Sequence, residues 1–195
     1  MIAARYEIPS ASPGAMFREE KTAGTELGMA ADQLTRNGQL VPDEMVCQVV
    51  EAWLKTHNGR FIFDGFPRSM GQATALSTML EQRNTPLEIA LFLEVDFETI
   101  ARRVEGRMVC SQCHANLSIG LHIGSATLAC PRCGGRLVKR ADDNVETLQR
   151  RMREYEEKTE PLVAHYHGLG LLKKVDSTPS PERVFETIAD ILEGK

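Results

Sequence analysis

The sequence predicts an α/β fold in which helices cover both faces of a parallel sheet, with one foreign module inserted. Three observations carry this. Short apolar runs at residues 61–63 and 88–95 alternate with helix-patterned stretches at 70–83 and 96–107. A cysteine-bearing stretch, residues 108–139, interrupts the alternation, which resumes near residue 144. The chain has 195 residues, 42% of them hydrophobic, which suits one domain with an inserted module.

The elements follow in order. Ser12 is placed to cap a helix with Pro13 in its first turn, and Gly24 stops it. A second helix spans Gly28 to Arg36 and ends at Asn37-Gly38. Pro42-Asp43-Glu44 opens a third, whose Met45, Val46, Val49, Val50, Trp53 and Leu54 form a core stripe, with Cys47 beside them as a buried thiol. Phe61 to Phe63 reads as a buried strand running into Asp64-Gly65-Phe66-Pro67-Arg68. Helix 70–83, a second buried strand at 88–95 and a helix ending at Gly106 complete the first part. After the module come a long helix from about Asn144, a short strand within 170–177 and a capped terminal helix within 180–194. The domain reading is a core of residues 1–107 and 140–195 with an insertion of residues 108–139.

Lys and Arg total 23 against 27 Asp and Glu, giving a net charge of -4 and a pI near 5.8. That balance supplies no general attraction to nucleic acid or anionic membrane, so an anion site must be local. The N-terminus lacks the apolar stretch of a signal peptide, and no window approaches the ~18 apolar residues of a membrane span. The expectation is a cytoplasmic protein with reduced thiols.

Cys110, Cys113, Cys130 and Cys133 form two CxxC pairs with sixteen residues between them. This spacing lets four thiolates surround one tetrahedral zinc, and Gly134-Gly135 supplies the tight turn that aims backbone amides at sulfur. A redox dithiol is the alternative; an open catalytic zinc fits less well, because four thiolates fill the coordination sphere. About 30 residues bury little core, so chelation is expected to hold the module together. His114 and His122 are competing ligands or plain surface histidines.

Arg18, Arg68, Arg103, Arg107, Arg140 and Arg151 fall at element ends or beside the module. The guanidinium fork suits bidentate phosphate contacts, although each arginine singly reads as a solvated surface charge. Asp64 follows a strand, where a carboxylate holds hydrated magnesium or merely caps. Asp142 and Asp143 sit at the start of a long helix, where its dipole favours them.

"DGFPRSMGQA", the cysteine spacing, "ARRVEGR", "KRADDNVETLQRRM" and "NGQLVPDE" together resemble adenylate kinases with a long zinc-bearing lid, over essentially the whole chain. The resemblance implies the P-loop nucleoside monophosphate kinase fold and transfer of a phosphoryl group from MgATP to AMP, giving two ADP, in purine nucleotide homeostasis. It assigns Arg68, Arg107, Arg140, Arg151 and Asp64 to the reacting phosphates and magnesium. An AMP-binding segment lies at about 12–41. Arg18, Gln39, Leu40, Val41, Gly65, Phe66, Pro67, Arg68, Gln72, Arg140 and Arg151 would bind AMP. Arg103, Arg107, Asn116, Leu117 and Pro179 would meet ATP, and Asp142 and Asp143 would help the lid close. Magnesium and structural zinc are the implied cofactors; a monomer using ATP, AMP and ADP, without nucleic acid or membrane, is the implied state.

The departures are specific. The family opens with an apolar strand and a glycine-rich loop ending in Gly-Lys, whereas this sequence begins "MIAARYEIP". Lys21, seven residues past Gly14 and inside a helix, does not replace that lysine. The expectation is a start assigned at an internal methionine, weak activity, and a sheet with unpaired ladders where the first strand would lie. Pro13-Gly14-Ala15 stands where the family has Thr-Gly-Asp, and Leu117 where an aromatic is common. Two further readings remain: an AMP-binding remnant without turnover, or a kinase for another nucleoside monophosphate. A zinc ribbon for RNA or a protein partner is disfavoured by the acidic balance and few aromatics.

Overall fold

A computed structural model describes residues 1–36, 39–113, 115–120, 123–124, 128–139 and 145–194. The chain divides into two compact units. The first comprises residues 1–92, 155–175 and 181–195; the second comprises 93–154 and 176–180, and so takes in more than the cysteine insertion.

In the first unit, α1 (Ile2–Tyr6) is followed by β1 (Ser10–Ala11), two residues that the sequence pattern does not single out. Helix α2 (Pro13–Thr22) starts as expected: Ser12 is extended, and its hydroxyl accepts from the Ala15 amide at 3.3 Å. Gly24, at φ 72°, turns the chain into α3 (Glu26–Arg36). Gly28 on α3 is required by contact, since a Cβ there would lie 2.3 Å from the Lys21 backbone nitrogen.

Helix α4 (Asp43–Thr56) buries Val46, Val49, Val50 and Leu54, the i, i+3, i+4 stripe of an amphipathic helix. They pack with Ala11, Met16, Phe66, Leu76 and Leu80 into the main core. Leu76 and Leu80 belong to α5 (Met70–Gln82). Trp53 lies at the rim, stacked on His57 at 3.8 Å and edge-on to Phe61 and Phe63. Cys47 is half-buried rather than sealed in the core; burial and then Asp43 and Glu44 raise its thiol pKa.

The expected single sheet is divided. β1 runs parallel to β2 (Ile62–Phe63), with Ser10 opposite Ile62 and Ala11 opposite Phe63. β3 (Ala90–Glu94) pairs with β7 (Leu172–Asp176). Bonds from Ala90 N–H to Leu171 O and from Ser177 N–H to Glu94 O show that this pair is parallel too. Among the described residues the two pairs are not joined into one sheet. Neither strand expected to be buried is fully so: β2 is half-buried, and Leu93 at the end of β3 is 48% exposed. Among the described residues each has one strand neighbour, which leaves the other edge of its ladder without a described partner strand.

The second unit contains α6 (Phe97–Glu105), capped by Asp96 through the Thr99 amide at 2.7 Å. It also holds a three-stranded antiparallel sheet of β4 (Arg107–Cys110), β5 (Asn116–Ser118) and β6 (Leu137–Val138), in the order β5-β4-β6. The predicted long helix is α7 (Val145–Glu154), a π-helical turn at Tyr155–Thr159 and α8 (Glu160–Gly168), the last two in the first unit. Helix α9 (Pro181–Leu192) ends the chain, and Arg5 of α1 pairs with Glu193 just beyond it at 2.7 Å.

Candidate active site and metal centre

The apolar β2 ends at Asp64, whose amide bonds back to the Ala11 carbonyl at 2.9 Å. Gly65 then takes φ 68°, and a Cβ on it would lie 2.7 Å from a terminal nitrogen of Arg68. This close approach lets Arg68 Nε donate to the Gly65 carbonyl at 2.8 Å. The Arg68 backbone is fixed at both ends, its amide donating to Gln72 Oε1 at 2.8 Å and its carbonyl accepting from the Thr159 hydroxyl at 3.0 Å. Arg68 is therefore held at three points while the residue itself stays exposed.

Phe66 is 7% exposed and anchors the turn in the core. Ser69 caps α5 by accepting from the Gln72 amide at 3.1 Å. Gln72 is 5% exposed, and its Nε2 donates to Asp43 Oδ1 at 2.6 Å. The Asp64 carboxylate has no hydrogen bond or ion pair to another described side chain, so it is available to a cation.

Arg18 lies on α2 with its guanidinium back over Gly14. Gln39 and Leu40 are exposed beyond α3, and Val41 packs against the main core. Arg18, residues 39–41 and residues 64–72 thus all belong to the first unit.

In the second unit, Arg103 extends one terminal nitrogen to three consecutive carbonyls: Ser177 at 2.7 Å, Thr178 at 3.2 Å and Pro179 at 3.4 Å. Two residues expected on the ATP side are thus brought together. Asp176 shapes the same loop by accepting from the Thr178 amide at 2.8 Å, which lowers its carboxyl pKa. Arg107 pairs across to Ser118, and Met108 to Leu117. Leu117 is 5% exposed within the module's core, so only its backbone could reach a ligand, whereas Asn116 is exposed. Arg140, Asp142 and Asp143 lie outside the described residues, as do His114, His122 and Asn37-Gly38; Arg151 lies on α7, with its side chain outside the description.

The four cysteines converge. Their sulfurs all lie within 4.8 Å of one another, with 3.4 Å from Cys110 to Cys133 and 3.7 Å from Cys113 to Cys130. Zinc–sulfur bonds of about 2.3 Å at tetrahedral angles place sulfurs about 3.8 Å apart, so the donor set fits zinc. Backbone amides of Gln112 and Cys113 point at Cys110 Sγ, at 3.4 and 3.5 Å, and the Arg132 amide at Cys130 Sγ, at 3.4 Å. These amides favour thiolate: the Cys113 amide leads in lowering Cys110 to about 6. Cys113 is lowered by the Ala115 amide but raised more by Cys133, burial, Cys110 and Cys130, and reaches about 12. Without a cation, one thiolate thus suppresses the next. Gly134 takes φ 75°, and a Cβ on Gly135 would sit 2.9 Å from Cys110 Sγ.

The sequence model of adenylate kinase matches residues 1–171. This chain belongs to the adenylate kinase family. A curated adenylate kinase of Thermodesulfovibrio yellowstonii is 39% identical over 193 residues, covering 98% of this chain and 90% of that protein. Those of Clostridium tetani and Methanosarcina barkeri are 37% and 38% identical, covering 98% and 96% of this chain and 90% and 87% of theirs. As an adenylate kinase family member the chain is a phosphotransferase of the nucleoside monophosphate kinase type, and its cysteine cluster could hold zinc.

Sequence reasoning missed Asp43, Ser69 and Thr159 as supports of the adenylate kinase turn. Ser69-Met70-Gly71-Gln72 has the S-x-x-Q spacing of a capping box, which could have flagged Ser69. Thr159 gave no such signal, because its partner lies 91 residues away.

Proposed function

We propose that the chain transfers a phosphoryl group reversibly between MgATP and AMP, giving two ADP, and works as a cytoplasmic monomer in purine nucleotide homeostasis. The observation that carries the reading is the Arg68 turn. A guanidinium fixed through its backbone at both ends, and exposed, is prepared to meet phosphate without further ordering. Family membership over residues 1–171 supports the same assignment.

Arg68 and Arg18, with Arg140 and Arg151, hold the AMP phosphate and the transferring group. Gln72 and the backbone of Gln39, Leu40 and Val41 border the base, against the wall made by Gly65, Phe66 and Pro67. Arg103, Arg107, Asn116, the Leu117 backbone and Pro179 serve ATP. Asp64 would take the magnesium side, and magnesium, when bound, offsets the charge that spreads over the phosphates. Cys110, Cys113, Cys130 and Cys133 would hold zinc as a structural ion in a lid of residues 108–139, whose closure Asp142 and Asp143 assist. Phosphoryl transfer needs alignment and charge neutralisation more than covalent help, which is what guanidinium groups on the phosphates would supply.

A second reading, AMP binding without turnover, has one observation in its favour. The 195 residues contain no Gly-x-x-x-x-Gly-Lys, and Lys21, the nearest substitute, lies on α2 and is paired with Asp32 at 2.8 Å. The test is ADP formation by the zinc-loaded chain from ATP, AMP and magnesium, alongside calorimetric titration with AMP alone. Turnover supports the kinase; AMP binding without turnover supports the second reading; neither would sink both.

A further inference from the structure

Gln72 is buried, yet its carboxamide is not free to choose its orientation. Oε1 accepts from the Arg68 amide at 2.8 Å, and Nε2 donates to Asp43 Oδ1 at 2.6 Å. A backbone N–H offers no acceptor and an ionised carboxylate offers no donor, so both partners demand the same rotamer. Turning the amide over would set oxygen against carboxylate and N–H against N–H. Asp43 is itself fixed: it is the first residue of α4, and its Oδ2 accepts from the Ser69 hydroxyl at 2.5 Å. Asp43 thus links the start of α4 to the cap of α5.

We infer that Asp43 is a positioning residue that sets which way the Gln72 carboxamide faces, and thereby which purine the acceptor site reads. The inference rests on the reading that Gln72 meets the base. With one N–H and one lone pair committed, the amide keeps one N–H and one lone pair on its outer edge. That edge complements a 6-aminopurine, which presents a ring acceptor beside an amino donor. A 6-oxopurine presents the inverse, a ring N–H beside a carbonyl. To read it the amide must flip, and the Asp43 carboxylate opposes the flip. A polar site that forbids one hydrogen-bond pattern discriminates far better than one that only fits shape.

The experiment is calorimetric titration of the zinc-loaded full chain and of Asp43→Asn with AMP and with IMP, together with thermal unfolding. Asparagine keeps the shape but can turn an N–H toward Gln72. The AMP-over-IMP affinity ratio is expected to fall about tenfold or more, mostly through weaker AMP binding. A purely structural role would weaken both nucleotides alike and leave the ratio in place; a ratio within twofold of wild type overturns the inference. If Asp43→Asn does not fold, Ser69→Ala decides, because it removes the hydroxyl that fixes Asp43. A ratio about threefold lower supports the inference and an unchanged ratio overturns it. Wild-type protein that binds no AMP would overturn the acceptor-site reading, and the inference with it. Wild type that prefers AMP while the variants keep its ratio would overturn the inference alone.

Discussion

The turn at residues 64–72 and the cysteine module are both short and irregular, yet they are held by opposite means. The turn borrows its rigidity: Ala11, Asp43 and Thr159, from three separate elements, bond to it, and Phe66 roots it in the main core. The module relies on itself. Its core is Cys110, Ala115, Leu117, Ile123, Cys130 and Leu137, with Met108 against it, and two of those buried residues belong to the four-cysteine cluster that could hold a metal ion. A short turn can thus be fixed by a large neighbour, whereas a small appended sheet with little core is the kind of structure that a bound ion stabilises.

Removing the metal should separate the two regions most sharply. Structural zinc in small modules is worth about 10–16 kcal/mol in apparent binding free energy. Chelation, or Cys133→Ser, is therefore expected to abolish amide exchange protection across β4, β5 and β6 while α4 and α5 keep theirs. Loss of protection in all five elements would break the comparison.

The reciprocal perturbation is Gly28→Ala. Its Cβ would meet backbone of α2 at 2.3 Å, which no side-chain motion relieves, and a cost of about 3 kcal/mol is expected. Urea unfolding should show it in the first unit, with zinc affinity of the module unchanged.

A smaller effect concerns the pH dependence of the module. While it is folded, the amides of Cys113 and Gln112 lower the Cys110 thiol to about 6, so the stability it contributes is present in full above pH 9 and is lost as pH falls through 6. Once chelation opens the sheet those amides leave the sulfur, and thiolate absorbance of the chelated protein should show no step near pH 6; a step there that Cys110→Ser removes would mean that the metal-free module keeps its fold.

The least effect is expected at Arg60, paired with Glu88 at 2.8 Å with side chains 71% and 66% exposed. Arg60→Ala should change stability by less than about 0.5 kcal/mol, and leave both regions as they are.

Much of this contrast was legible in the sequence. The CxxC spacing announced the module because metal-ligand sets impose a local pattern, and the helix stripes and the cap at Ser12 are local too. The supports of Arg68 were not legible, since Asp43, Thr159 and Ala11 reach it from far along the chain, and a hydrogen bond across such a distance leaves no period or spacing. The burial of β2 and β3 was misread for a related reason. An apolar run records what a strand would bury given neighbours on both sides, not how many neighbours it has.

Trp53 is the chain's single tryptophan, and it lies face to face with His57 beside the aromatic rim of the main core. Intrinsic emission excited at the red edge therefore comes from the first unit alone. Any fluorescence change on adding zinc would then report a signal passed from one unit to the other, without a label having been attached.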